Sequence, residues 1–238
     1  MPNIRRQFNI FAAVIGTMLS CAMLTQAAPL TRRSDFPAAN LPTTTSSTSD
    51  STSGGAPYQG GDTYTGPSGD PAPIAQIFPN DTSQYNTASG AVDFHTSQGL
   101  VYRSITDGGA DITTLVTFEL PAQYSSNWCQ IAFALGNAAS WATGSLQAQL
   151  FTSLAPATTD ASSWPSGNLR DVDLGSIDIV VGGEASFQAG SGPAAASDGF
   201  FPCSLIAGQV YGGEIVPQGD AVEISWPAGE DGIKIIVY

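Results

Sequence analysis

Cations are nearly absent from this sequence. Its 238 residues hold seven Lys and Arg against twenty Asp and Glu. Four of the seven, Arg5, Arg6, Arg32 and Arg33, precede residue 34, whereas every acid follows it. A chain cut after residue 33 would keep three cations against twenty acids, a net charge of −17. Such a polyanion is repelled by phosphate backbones and by anionic bilayers, which excludes nucleic-acid binding and attachment to a membrane through a basic patch. Imidazole is scarcer still, His95 being the only one. One imidazole and three cations leave few general bases or electrophilic clamps for an enzyme. Helical periodicity is missing too, since no segment carries a 3.6-residue apolar stripe over three turns.

What is present begins with a leader. Residues 1–28 have a basic start at Arg5 and Arg6, an apolar run from Phe8 to Leu24, and small residues at Ala27 and Ala28. This is the three-part layout of a secretory signal peptide. The run is near the lower limit for a bilayer span, so a cleaved leader is expected rather than an anchor, and with it no membrane span in the mature form. Arg32-Arg33 is a dibasic pair where a processing protease of the secretory pathway could cut. The C-terminal stretch from Gly232 to Tyr238 is too short for the tail that a lipid-anchor signal requires.

Of the three cysteines, Cys21 lies in the leader, which leaves Cys129 and Cys203 as an even pair in an oxidising compartment. One disulfide is the economical expectation. Two cysteines without nearby histidine make a poor zinc cage, and no metal or other cofactor is expected. Closing a loop of this length stabilises a fold by roughly 4 kcal/mol on the chain-entropy argument.

Residues 29–72 read as a pro-segment and stalk. From Pro37 to Ala72, 24 of 36 residues are Ser, Thr, Gly or Pro, and only Leu41, Tyr58 and Tyr64 are large and apolar. Such a stretch cannot bury enough surface to offset its ordering entropy and is expected to be disordered. Ten of the eleven residues from Thr43 to Ser53 carry hydroxyls, the composition of an O-glycosylated stalk. Asn80-Asp81-Thr82 is an N-glycosylation sequon, which places a glycan at Asn80.

From residue 73 to 238 the pattern changes to period two. Ile112, Thr114, Val116, Phe118 and Leu120 share one face, as do Cys129, Ile131, Phe133 and Leu135. The same alternation recurs at Leu146 to Leu150, Ile177 to Val181, Val222 to Trp226 and Ile233 to Val237, with further strands expected at Leu100 to Ile105 and Val210 to Val216. Gly212 and Gly213 mark an expected bulge in the last of these. About nine short strands separated by Gly, Pro, Asn and Asp indicate an all-β domain. The expected architecture is an antiparallel β-sandwich of jelly-roll or Greek-key type.

Several motifs occur in a definite order: Trp128-Cys129-Gln130-Ile131-Ala132-Phe133, Gly144-Ser145-Leu146, Gly167-Asn168-Leu169-Arg170-Asp171, Phe201-Pro202-Cys203, and Glu214-Ile215-Val216-Pro217-Gln218-Gly219-Asp220 before Trp226. In this order they resemble the ubiquitin-3-binding-protein C-terminal domain family of fungi, over roughly residues 85 to 238. The resemblance implies a fungal secreted or cell-wall β-domain and a cysteine pair matching Cys129 and Cys203. It supplies no catalytic residues.

Chemistry-bearing residues are few. Asp171 and Asp173 are two alternate carboxylates that could hold a divalent cation or act as an acid/base pair, but they lack a third oxygen donor and would point the same way rather than flank a bond. The competing role has Arg170 pairing with a carboxylate and fixing a turn before a strand at Leu174. Asp107-Gly108-Gly109-Ala110-Asp111 lacks the ligand alternation of a calcium loop and reads as a hairpin turn. Gly219-Asp220 and Gly229-Glu230-Asp231-Gly232 also read as turns. His95 has no Gly-x-Ser-x-Gly elbow to accompany it and reads as a surface or strand-edge histidine. Among the aromatics, Trp128, Trp141, Trp164 and Tyr124 fall near strand ends and loops, where flat rings can stack on sugars, with Trp164 the best exposed candidate for a ligand surface; Trp226 is expected in the core. The expected function is therefore that of a secreted, non-enzymatic protein of the cell surface or cell wall, binding wall polysaccharide or an extracellular protein. The alternative is a secreted glycoside hydrolase working through the carboxylate pair.

Overall fold

Alternation of apolar and polar residues builds nearly all of the folded part. The structure, a computed structural model, describes residues 64–69, 71–157 and 169–238. The leader, the Arg32-Arg33 pair, the hydroxyl-rich run and Trp164 lie outside the described residues. The strands are β1 (Ala75–Ile77), β2 (Asp81–Asn86), β3 (Val92–Asp93), β4 (Gln98–Arg103), β5 (Ile112–Glu119), β6 (Trp128–Ala134) and β7 (Trp141–Gly144). They continue with β8 (Gln147–Ser153), β9 (Arg170–Asp178), β10 (Ser186–Phe187), β11 (Phe200–Pro202), β12 (Val210–Pro217), β13 (Val222–Pro227) and β14 (Gly232–Val237). Among the described residues they are interrupted by one four-residue α-helix, α1 (Pro193–Ala196), and by two single 3-10 turns, Ala122–Tyr124 and Cys203–Leu205.

The strands pair antiparallel in two sheets, giving an all-β sandwich. The smaller sheet has the order β1-β14-β6-β11, and the larger runs β10-β9-β8-β12-β5-β4-β13-β7, with β2 beside β5 and β3 beside β2. Cys129, Ile131 and Phe133 of β6 and Ile233, Ile235 and Val237 of β14 join Val116, Phe118, Leu150, Ile215, Ile224 and Trp226 of the larger sheet in one buried cluster. Each such side chain removed from water contributes about 1.5–3 kcal/mol. Phe133 meets Trp226 edge-on, with centroids 5.2 Å apart, and so joins the two sheets. The Trp226 ring also dictates two glycines, because a Cβ at Gly99 or Gly232 would sit 2.1 or 2.2 Å from its atoms. The Cys129–Cys203 disulfide forms across a Cα separation of 5.0 Å, where β11 pairs with β6 and delivers Cys203 to the core.

Several local expectations need correction. Gly212 and Gly213 form no bulge: β12 keeps continuous register with both β5 and β8 through them. Their small size serves close approach, since a Cβ on Gly212 would lie 2.9 Å from the Cα of Pro156. The register shifts lie instead between β8 and β9, flanking Phe151. Among the described residues no turn stands between Arg170 and Leu174; β9 already starts at Arg170 and ends at Asp178, which leaves Val180 and Val181 exposed outside it. Leu146 stands before β8 with φ +54. β5 is buried on both faces, so Thr113, Leu115 and Thr117 are as enclosed as the expected core face. Six strands (β1, β2, β3, β7, β10 and β11) were not anticipated, and β2, reading DTSQYN, has no apolar alternation at all. Packing also reaches further toward the N-terminus than residue 73, because Tyr64 lies against the core.

The three expected turns are present. Asp107 to Asp111 links β4 to β5, with Gly108 and Gly109 at φ +76 and +85. Asp111 there receives Arg103 Nη2 at 2.6 Å and Nε at 3.0 and 3.1 Å. That hydrogen-bonded carboxylate raises the Arg103 pKa above its ordinary value, against the opposing effect of partial burial.

Candidate functional site

The two carboxylates of Asp171 and Asp173 have different surroundings, and the ion pair beside them is made by Arg170 with Glu214. Arg170, at the start of β9, reaches across the larger sheet to Glu214 of β12, with Nε to Oε2 at 2.8 Å and Nη2 to Oε1 at 2.9 Å. Thr113 Oγ1 donates to the same Oε1 at 2.6 Å, and the guanidinium lies 5.3 Å from the Phe151 ring centre. Glu214 is 5% exposed, so the pair is desolvated and held by geometry. Residues 153–157 lie over this face: Pro156 abuts Gly212, and the carbonyl of Ala157 accepts from Thr117 Oγ1. Asp173 accepts from Gln149 Nε2 at 2.7 Å and from the Gly175 amide at 3.0 Å, which engages both oxygens in fixing the irregular register of β9. Asp171 is exposed at the rim of a shallow hollow beside Ser153, Pro156 and Tyr211.

His95 lies between β3 and β4 and is bonded to β2, a strand-edge position. Its Nδ1 lies 2.7 Å from Oδ1 of buried Asp81, and its backbone N–H donates to Ser83 Oγ at 3.3 Å. The residue adopts φ +58, an uncommon conformation for a side chain bearing Cβ, which these contacts hold in place. Asp81, which sequence reading treated only as part of a sequon, is the missing partner. Asn80 itself is exposed, and its Oδ1 accepts from the Glu119 amide at 2.9 Å.

The aromatics separate cleanly by exposure. Trp226 is in the core, Trp128 and Tyr124 are half-buried, and Trp141 is 41% exposed at the head of edge strand β7. Its position follows from strand register. Trp141 pairs with Ser225 of β13, which pairs with Leu100 of β4; in the next row Thr143, Glu223 and Tyr102 are aligned. Residues directly opposite share a face, so these six occupy one face, while Ala142, Ile224 and Val101 point to the core. Ser225 is buried.

The loop leading into Trp141 is fixed from below. The Asp231 carboxylate accepts from the Gly136 amide at 3.2 Å, the Asn137 amide at 2.9 Å and Ser140 Oγ at 2.5 Å. The sequence singled out Trp141 but neither Tyr102 nor Glu223; the alternation of Tyr102 with Val101 and of Glu223 with Ile224 was the signal that would have put them on the outward face. The structure thus brings together Trp141, Tyr102 and Glu223, and keeps the Asp171 hollow and the His95–Asp81 pair separate from them in the strand order. No family model matches this chain, and no curated protein does either.

Proposed function

We propose that the chain is a secreted, non-enzymatic protein of the cell surface or cell wall whose β-sandwich binds wall polysaccharide. The observation that carries this reading is Trp141, an exposed indole on a rigid sheet face with Tyr102 two strands away. Flat aromatic faces take up the C–H faces of sugar rings, and mounting them on paired strands removes most of the ordering cost of binding. The apolar leader, the paired cysteines and the likeness of the motifs to a fungal wall-type domain family support a place outside the cell.

The test is retention of the secreted protein on insoluble chitin, β-glucan and mannan, with bound protein and released sugar measured together. Retention without sugar release, lost in Trp141→Ala, is the expected result. Sugar release that disappears in Asp171→Asn would replace this reading with a glycoside hydrolase. Absence of both retention and release would leave an extracellular protein as the partner.

A further inference from the structure

We infer that the face formed by β4, β13 and β7 selects a β-linked aminoglycan bearing free ammonium groups, that is, partly deacetylated chitin, over neutral glycans. This rests on the polysaccharide reading above and names the class of polymer. Trp141 and Tyr102 lie two strands and two residues apart, about 12 Å between backbones, a span suited to a short run of sugar rings. Between them stands Glu223, directly opposite Tyr102 and diagonal to Trp141, hence within about 8 Å of both.

The Glu223 carboxylate has no hydrogen bond or ion pair among the described residues. Nor can the protein readily provide one. After residue 34 the chain has only three cations. Each is engaged elsewhere, Arg103 with Asp111, Arg170 with Glu214 and Lys234 with Glu184. A partly shielded carboxylate between two aromatic rings therefore takes its counter-charge from outside. An ammonium projecting from the edge of a sugar stacked over Trp141 is placed to meet the neighbouring carboxylate in a charge-assisted hydrogen bond. An acetylated amine carries no charge, a neutral glucan offers only ring stacking, and an anionic polymer is repelled by the acidic surface as a whole. Charge complementarity thus picks the cationic member of the wall polysaccharides.

The experiment compares retention of the full secreted protein on chitosan and on chitin particles, at a pH where the chitosan amines are protonated and at low and high salt. Two variants remove one charge each: Glu223→Gln, and Glu119→Gln, an exposed carboxylate on β5 outside this face. The expected result is binding to chitosan about tenfold tighter than to chitin, the margin of one charge-assisted contact. Glu223→Gln should remove most of that margin and leave chitin retention as it was, while Glu119→Gln changes neither. Equal losses in the two variants would overturn the inference in favour of general polyanion attraction. Equal binding of chitosan and chitin by the unaltered protein would overturn the amine preference and leave polysaccharide binding standing. Retention on no polysaccharide at all would remove both readings.

Discussion

Two regions on the outward side of the larger sheet each present a glutamate beside aromatic side chains, and they have opposite fates. On β12, Glu214 is buried and takes two hydrogen bonds from Arg170 and one from Thr113, with Phe151 against the guanidinium. On β13, Glu223 lies between Tyr102 and Trp141 with no cation supplied. The chain has three cations after residue 34, and one of them pairs with the buried Glu214, while Glu223 receives none. Sequence alone does not distinguish the two, since both glutamates alternate with core isoleucines on their strands.

The sharpest way to test the shared framework is to remove the link that both regions depend on. Replacing Cys129 and Cys203 together by Ala should cost about 4 kcal/mol in urea unfolding. Next in size, Arg170→Ala strands Glu214 as a buried unpaired charge and should cost about 3 kcal/mol, whereas Arg170→Met combined with Glu214→Leu should recover most of it. If the single and double variants were equally unstable, the closed region would owe its stability to packing rather than to pairing. Asp231→Ala removes three hydrogen bonds from the loop before Trp141; a loss of about 2 kcal/mol is expected, with partial loss of polysaccharide retention because the indole is no longer held. The smallest effect belongs to the open region: Trp141→Ala should change stability by at most about 0.5 kcal/mol while abolishing retention. A large destabilisation there would mean that the ring serves the fold and would erase the contrast between the regions.

Much of the fold was legible because period-two alternation reports burial directly. The core faces of β6, β13 and β14 were readable from Cys129-Ile131-Phe133, Ile224-Trp226 and Ile233-Ile235-Val237, and the cysteine pair from counting. β2 was not, because Asp81, Thr82 and Ser83 are buried through hydrogen bonding rather than through apolar character. β9 was misplaced at its start because its irregular register breaks the alternation at the residues that carry Arg170, Asp171 and Asp173. For the candidate site, Trp141 was legible as an aromatic near a strand end. Its relation to Tyr102 and Glu223 was not, since the three come from strands brought together only by pairing.

By itself, then, the sequence determined the all-β class, the alternating core, the cysteine pair and the scarcity of cations, all of which depend on residue identity and local spacing. Only the tertiary structure decided which carboxylates are satisfied and which aromatic is exposed. Pairing Arg170 with Glu214 across 44 residues, and Trp141 with Ser225 across β7 and β13, depends on strand order and register. These are set by how the two sheets close over a common core, and no local periodicity encodes them.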